Sequence, residues 1–369
     1  MDRHYSAIRM FLISAVMLVS QFNVVFAQPT ISWVRLSDET AKGVVLSPNG
    51  SLIAYSSLDD GITQVLDLNT NETLWQSVGS WSQSEWSPDG QWIATLQGNV
   101  ALYEASTGVR TTEIEKTFED VGMALGFLNQ IPELEYTDLH WSANSQKLAA
   151  MVHGYIVVYD FSVKQITQVV DLVMIQNNDL HNYLSWFDWS EINSNFAAFR
   201  YDVNDRTRTP PRIVMGFWDE QGLQANYSET SNVNQSDECL PRGDELFQGF
   251  ARSIGNDLAW APDGETIAIS AGPVTVCSLG SDGTVSGVVI YDYAAEQLQW
   301  SVDQRLLFGV YSNCSVLIAE ASDNYAVQFQ SVSSSDVNCI TQSSNWSHDG
   351  NYVLIGTTDG LWLGEVEYP

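Results

Sequence analysis

The side chains best suited to chemistry in this sequence stand just before a recurring tryptophan. The residue directly before Trp86, Trp141 and Trp189 is an acid or a histidine, and an acid also stands three residues before Trp141 and Trp260. Carboxylate oxygens suit calcium, so these side chains could gather a cation if the fold brought them together. The alternative is a set of polar residues that water solvates. The candidates are Glu85, Asp138, His140, Asp188 and Asp257.

A second group of candidates is basic. Four arginines lie in a short stretch around Pro210 and Pro211, and a guanidinium group can bind an anion through paired hydrogen bonds. An anion or an acidic peptide could dock here, although a solvated loop whose arginines pair with Asp202 and Asp205 is the favoured interpretation. The arginines are Arg200, Arg206, Arg208 and Arg212.

Motifs of established catalytic machinery are missing from the sequence. There is no G-x-S-x-G, no H-E-x-x-H and no glycine-rich loop with a phosphate-binding lysine. The histidines after residue 27 are spread along the chain without the spacing of metal ligands. The sequence therefore favours a protein without catalytic activity.

A nine-residue phrase recurs along the chain and indicates the elements that must position these side chains. The clearest copy, Trp86 to Ala94, reads WSPDGQWIA, and the copy from Trp260 reads WAPDGETIA. A large apolar residue ends one strand, Pro, Asp and Gly form a turn, and an apolar residue opens the next strand, so each copy predicts a β-hairpin. Seven copies begin at Leu46, Trp86, Trp141, Trp189, Trp260, Tyr311 and Trp346.

Further strands follow each hairpin. An apolar residue followed by an acid, as in Tyr159-Asp160, recurs after five of the copies and marks a third strand. Trp75, Tyr227 and Trp300 mark a fourth strand. Four short strands per repeat predict an all-β protein, a seven-bladed β-propeller of four-stranded blades.

The phrase and the aromatic-acid pair resemble the WD-repeat β-propellers, in the divergent form common in exported bacterial proteins. The resemblance spans residues 28–369, which form a single domain with insertions at about 113–136, 201–211 and 221–255. The Gly-His pair of that family is missing, and Trp218-Asp219 is the one literal Trp-Asp pair, so its structural tetrad is not expected. In a propeller the innermost strands converge on an axis, where the acidic and histidine candidates would line a channel.

The two ends of the chain are expected to close the ring. The last repeat has residues for three strands, with Leu361 to Val366 as the third, and an orphan strand, Ile31 to Leu36, precedes the first repeat. Pairing these two segments would remove an unpaired sheet edge.

The insertions indicate where a ligand could bind. Connections from second to third strands and from one repeat to the next leave a propeller on the same side, which we call the decorated face. Phe118, Val121, Leu125 and Leu128 have the spacing of an amphipathic helix lying on the ring, with a stripe that serves packing. Loops carry binding functions on rigid scaffolds, so the decorated face is the expected binding surface.

Four cysteines follow residue 27, and an even number in an exported chain favours disulfides. Cys239 in the large insertion and Cys277, placed between the second and third strands of the fifth repeat, are expected to pair on the decorated face. Cys314 and Cys339 of the sixth repeat form the second predicted pair.

Composition and the N-terminal segment limit the compartment and the partners. Residues 1–27 combine early arginines with an apolar run, the layout of a signal peptide, so we expect a secreted or extracytoplasmic protein, in the periplasm or at the cell exterior. A net charge of -30 disfavours nucleic acid, and no membrane insertion is expected after signal cleavage.

Two functions of different classes follow. The leading one is a monomeric, non-catalytic binding or scaffold module for a protein, peptide or glycan, with no cofactor. The alternative is a cation-dependent propeller hydrolase or lactonase, with calcium in the channel.

Overall fold

The recurring phrase forms a hairpin because its serine and its Asp or Asn cap the turn. Ser87 Oγ donates to Asp89 Oδ1 (2.6 Å) and accepts from the Trp92 N–H (2.9 Å), while Asp89 also accepts from the Gln91 N–H (3.1 Å). Gly90 takes φ +73° there, which suits a residue without Cβ. The same serine and Asp or Asn pair recurs as Ser47 with Asn49, Ser142 with Asn144, Ser301 with Asp303, and Ser347 with Asp349.

A computed structural model describes most of the chain. It covers residues 29–79, 81–128, 136–153, 155–171, 184–190, 196–202, 212–219, 222–228, 256–271, 273–279, 285–323, 325–331, 340–347 and 349–367. The predicted signal peptide, Arg206, Arg208, Cys239 and Cys339 lie outside these residues.

The strands of the first half lie in four antiparallel sheets, numbered here in ring order. Sheet 1 contains β2 (Ala41–Leu46), β3 (Leu52–Ser57), β4 (Ile62–Asp67) and β5 (Glu72–Val78). Sheet 2 contains β6 (Gln83–Trp86), β7 (Trp92–Gln97) and β8 (Asn99–Glu104), followed by helix α1 (Thr112–Leu128). Sheet 3 contains β9 (Tyr136–Trp141), β10 (Lys147–Val152), β11 (Tyr155–Asp160) and β12 (Gln165–Asp171). Sheet 4 contains β13 (Leu184–Trp189), β14 (Phe196–Asp202), β15 (Arg212–Asp219) and β16 (Gly222–Ser228).

Three more sheets complete the ring. Sheet 5 contains β17 (Asn256–Trp260), β18 (Thr266–Ala271), β19 (Val274–Leu279) and β20 (Val285–Tyr291). Sheet 6 contains β21 (Gln297–Trp300), β22 (Leu306–Val310), β23 (Ser315–Glu320) and β24 (Ala326–Ser331), with a 3₁₀ turn (Ala321–Asp323) between the last two. Sheet 7 contains β25 (Thr341–Trp346), β26 (Tyr352–Thr357), β27 (Gly360–Glu367) and β1 (Thr30–Ser37). The fold is a β-propeller.

The prediction of seven four-stranded blades is wrong. Within the described residues the propeller has six blades of four strands each, and sheet 2 has three strands. The segment after β8 and the first residue of β8 satisfy its open edge: the Thr111 N–H donates to Leu102 O (2.8 Å), and Asn99 Oδ1 accepts from the Val100 N–H (2.8 Å). Because these groups already satisfy backbone polar atoms along β8, no fourth strand is needed there.

Helix α1 follows β8 and packs against it, where the other sheets have a fourth strand. Phe118 is fully buried and Leu125 nearly so, in one apolar cluster with residues of sheets 2 and 3. The Tyr136 hydroxyl donates to Phe118 O (2.6 Å). The predicted helix and its packing role are confirmed, but the helix packs between sheets 2 and 3 rather than lying on the ring.

Ring closure by the N-terminal strand is confirmed. Strand β1 pairs antiparallel with β27, in a register that sets Ile31 opposite Val366 and Val34 opposite Leu363. Gly364 leaves room for this contact, since a Cβ there would lie 2.5 Å from Ile31 Cγ2. The two ends of the chain are thus joined along eight-residue strands.

The sixth repeat lies earlier than the sequence alignment placed it. Trp300 ends the innermost strand β21 and opens the phrase WSVDQRLLF, whereas Tyr311 opens the next turn of the same sheet, between β22 and β23. That second turn carries a similar cap, Asn313 Oδ1 accepting from the Ser315 N–H (3.1 Å), which explains the mistaken alignment. The prediction that Trp300 marks a fourth strand is therefore wrong.

Two further boundaries differ from the predictions. Residues Gly222–Ser228 of the supposed 221–255 insertion form β16, the fourth strand of sheet 4. Cys277 lies inside β19, completely buried, rather than in a connection, and the structure shows no disulfide at this residue, against the predicted bridge to Cys239. Cys314 is buried in the turn after β22; its predicted partner Cys339 lies outside the described residues, so that pairing stays a prediction.

No helix among the described residues has the length and apolar character required to cross a membrane.

Replacing Ile31 by alanine tests how much the closing strand contributes. Ile31 is 9% exposed and packs in the apolar cluster of sheets 6 and 7, so its truncation should lower the free energy of unfolding by about 2–4 kcal/mol. Val34 on the same strand is 59% exposed, and Val34→Ala should change stability by less than about 0.5 kcal/mol. Urea denaturation of both variants measures the difference, and equal losses would contradict a closing role for β1.

Candidate functional site: the central channel

The innermost strands of all seven sheets surround one cavity. These strands contact each other in ring order, and together they enclose about 400 Å³ of space. They are β2, β6, β9, β13, β17, β21 and β25. The cavity is therefore the channel along the propeller axis, and its lining is set by the residues just before each repeated phrase.

Each innermost strand has one edge without a neighbouring strand, and side chains satisfy its backbone N–H groups. Asp188 Oδ1 accepts from the Trp189 N–H of its own strand (2.7 Å), and Oδ2 accepts from the Trp260 N–H of the next sheet (2.7 Å). Asp257 repeats this geometry with the N–H groups of Leu258 (2.9 Å) and Leu298 (2.7 Å). These carboxylates bridge neighbouring sheets.

Asp138 is a third copy of the same bridge. Its Oδ1 accepts from the Leu139 N–H (3.0 Å) and from Gln83 Nε2 (2.7 Å), while Oδ2 accepts from the Phe187 N–H of the next sheet (3.1 Å). Glu85 makes the preceding link, because its Oε2 accepts from the Trp141 N–H (3.0 Å). Four of the five predicted channel residues are therefore acceptors that hold sheets together.

Neutral side chains continue the circle through sheets 6, 7 and 1. Gln297 Oε1 accepts from the Ser344 N–H (2.5 Å), and Gln299 Oε1 accepts from the Trp346 N–H (2.9 Å). Asn345 Oδ1 then accepts from the Leu46 N–H (2.9 Å). Ser343 Oγ also accepts from the Val44 N–H (3.1 Å), and Ser84 Oγ donates to Gly43 O (2.6 Å), so every pair of adjacent sheets is linked.

His140 lies among three of the carboxylates. Its Nε2 is 3.3 Å from Asp138 Oδ1, and its Nδ1 is 3.7 Å from Glu85 Oε2 and 3.8 Å from Asp188 Oδ1. The ring also meets the Phe187 ring edge to face, with centroids 4.9 Å apart. The imidazole is thus placed to balance the charge of the bridging acids.

Burial and mutual charge shift the acidity of these groups. Burial alone would lower the pKa of His140, but the charges of Asp138 and Glu85 raise it well above 6.5. Burial raises the pKa of Glu85, while His140 opposes the shift. Burial also raises the pKa of Asp188 to about 6 and that of Asp257 to about 8, against the effect of the backbone N–H groups that they accept from. Burial therefore favours the neutral forms of these acids, and the charges of Asp138 and Glu85 favour the charged form of His140.

The predicted metal ligands converge, but they do not fit a metal. In the described part of the chain no group of three or more His, Cys, Asp or Glu side chains has an arrangement that could hold a metal ion. The carboxylate oxygens that would serve as ligands already accept backbone N–H groups.

The arginine candidates are only partly placed. Arg200 lies in β14, and Arg212 opens β15, where it pairs with Asp202 in the register of the two strands. Arg206 and Arg208 lie outside the described residues, so anion binding by this group stays a prediction.

The side chains that link sheets 6, 7 and 1 are not among the candidates predicted from the sequence. Gln297, Gln299, Ser343 and Asn345 occupy the same positions, one or three residues before the repeated tryptophan, as the acids of sheets 2 to 5. The sequence carries the same spacing there, because Gln297 and Gln299 precede Trp300 by three and one residues. The spacing is recognised only when the sixth repeat begins at Trp300 rather than at Tyr311.

The class that the fold and channel define is a β-propeller. A scan against models of protein families and a search of curated proteins both find no match to this chain.

Replacing His140 by glutamine should destabilise the propeller. Three carboxylates would then face each other without their counter-ion; since the side chain is 25% exposed, we expect a loss of about 2 kcal/mol, below the value for a fully buried pair. The double variant Glu85→Gln with His140→Gln should recover part of this loss, because one repelling charge is removed. Urea denaturation measures the free energy of unfolding of both variants. A double variant no more stable than His140→Gln would contradict the counter-ion role.

Stability should fall as the pH rises from about 4 to 8. The folded channel binds protons more tightly than the unfolded chain at Glu85, Asp188, Asp257 and His140, so the stabilisation is present at low pH and is lost as the pH passes the folded pKa values. For Asp257 the window runs from its ordinary 3.8 to about 8. We expect the melting temperature to drop by roughly 5 °C between pH 5 and pH 8.

The variant Asp257→Asn assigns this effect to the channel. It should show a pH-dependent drop about 2 °C smaller, because one of the titrating groups is gone. Asp60→Asn replaces an exposed carboxylate in the turn between β3 and β4 by an amide, so it serves as the control. Scanning calorimetry at the two pH values is the measurement, and equal drops in all three proteins would show that the channel acids do not cause it.

Proposed function

We propose that this protein is a non-catalytic binding or scaffold module that presents a protein, peptide or glycan ligand site on the decorated face of its propeller. The observation that carries the proposal is the use of the channel acids. Asp138, Asp188 and Asp257 each accept backbone N–H groups from two sheets. Their hydrogen-bonding capacity goes into the ring, which supports a rigid scaffold rather than a reactive centre.

The connections support binding at the decorated face. Consecutive strands run antiparallel, so second-to-third connections and links between sheets leave on the same side of the ring. Two long links are of this kind: β12 ends at Asp171 and β13 begins at Leu184, while β16 ends at Ser228 and β17 begins at Asn256. The first-to-second turns are short, capped hairpins. Two long connections therefore leave on the face that a rigid scaffold would use for recognition.

The remaining parts of the proposal come from the sequence. The resemblance to divergent WD-repeat propellers, the N-terminal segment with the layout of a signal peptide, and the net charge of -30 support an exported, monomeric protein that avoids nucleic acid.

Metal analysis separates the binding module from a cation-dependent hydrolase or lactonase. If the channel acids serve the scaffold, purified protein should contain well below one calcium per chain, and a chelator should shift the melting temperature by less than about 1 °C. Mass spectrometry for metals and thermal denaturation with and without chelator are the measurements. Stoichiometric calcium, with a fall of several degrees on chelation, would refute the proposal and favour the hydrolase.

A further inference from the structure

Four aromatic side chains form a cluster on the decorated face where sheets 5 and 6 meet. Tyr291 ends β20, Tyr293 follows in the link to β21, Tyr311 opens the turn between β22 and β23, and Phe329 lies in β24. The Tyr291 ring is 4.6 Å from Phe329, 5.4 Å from Tyr293 and 5.5 Å from Tyr311 by centroids, and Tyr311 is 5.9 Å from Phe329. We call these residues the aromatic cluster.

The cluster has a buried base and an exposed rim. Tyr311 is 9% exposed and anchors the group, whereas Phe329 is 44% and Tyr293 68% exposed. The two exposed rings each contact the Tyr291 ring, so the group forms an apolar patch, which in a soluble protein marks an interaction surface. The packing demands of the propeller explain Tyr311, but they do not explain the exposure of the two rim residues.

The surroundings of the cluster are acidic. The link that carries Tyr293 reads Asp292, Tyr293, Ala294, Ala295 and Glu296, and neither β24 nor the turn after Tyr311 contains a lysine or arginine. Asp292 is exposed beside the rim, and the whole chain carries a net charge of -30. An approaching cation meets both the carboxylates and the negative faces of the rings.

The ring planes favour a cation over a flat ligand. Tyr293 and Phe329 are each inclined by 52° to Tyr291, so a planar ligand that stacked flat on the Tyr291 ring could not also stack flat on either rim ring. A cationic group needs only to lie within about 6 Å of ring centroids, whatever their mutual tilt. The chain itself uses this contact elsewhere, with Arg35 over Trp362 at 5.4 Å and Arg110 over Tyr103 at 5.9 Å.

We propose that the aromatic cluster is the docking site for an arginine side chain of a basic segment in a partner protein. The guanidinium group lies against the exposed rings of Tyr293 and Phe329, and Asp292 pairs with its charge. This inference deepens the proposed binding function by naming the chemistry of the partner, and it rests on that function.

The test uses two synthetic peptides and four proteins. The probe is acetyl-(Gly-Arg)₃-Gly-amide, and its matched control carries citrulline in place of arginine, which keeps the shape and removes the charge. Isothermal titration calorimetry at low ionic strength compares the natural sequence with Tyr293→Leu, Asp292→Asn and Asp60→Asn. The leucine variant keeps an apolar side chain without a π face, and Asp60 is an exposed carboxylate in the turn between β3 and β4 that controls for net charge.

We expect the arginine peptide to bind at least about tenfold more tightly than the citrulline peptide, with affinity lowered about threefold by Tyr293→Leu and by Asp292→Asn, and unchanged in Asp60→Asn. Equal binding of both peptides would overturn the inference, and so would equal affinities in all four proteins, which would indicate attraction by net charge alone. Tighter binding of a neutral oligosaccharide that Tyr293→Leu abolishes would also overturn it. Each of these outcomes would overturn the arginine site but not the proposed binding function, which the metal analysis tests. The two proposals can therefore fail separately.

Discussion

The unpaired edge of each innermost strand is the constraint on which this propeller depends. A strand that faces the axis has no neighbour on one side, and buried N–H groups without acceptors are costly. In sheets 2 to 7, side chains one or three residues before the end of the innermost strand accept backbone N–H groups of the next sheet, and Ser84 links sheet 2 to sheet 1. The hydrogen bonds that give the N–H groups of these edges their acceptors therefore also join neighbouring sheets around the ring.

This constraint changes how the channel acids are understood. A cluster of acids and a histidine at the centre of a propeller would ordinarily suggest a metal or a catalytic centre, because perturbed pKa values gather at functional sites. Here Asp138, Asp188 and Asp257 show the same two-sheet geometry three times in succession. Repetition of one geometry around a ring is the mark of a structural role, since a reactive site would need different partners converging on one substrate. His140 then serves as the counter-ion of the acids.

Sheet 2 has three strands in the described residues, and the backbone polar groups along the open edge of β8 have hydrogen-bond partners other than a fourth strand. Asn99, the segment at Thr111 and helix α1 together cover the edge of β8. The helix buries Phe118 between two sheets, where a fourth strand would have packed. On the decorated face, by contrast, Tyr293 and Phe329 remain exposed beside acids, an arrangement that the fold itself does not require.

Local sequence determined the hairpins, since serine and Asp or Asn caps act within a few residues of one another, and their spacing can be read directly, as at Ser87 and Asp89. The propeller class, helix α1 and closure of β1 onto β27 could be predicted for the same reason: they follow from counting strands and apolar spacing. The six complete blades, the position of the sixth repeat and the burial of Cys277 in β19 could not be predicted, because similar caps occur in a second turn and the three-stranded form of sheet 2 depends on α1 packing against β8. The positions of Glu85, Asp138, His140, Asp188 and Asp257 at one channel were also predictable, but their role was not. Whether a carboxylate binds a metal or a backbone N–H depends on the distance to the next sheet, and only the tertiary structure sets that distance.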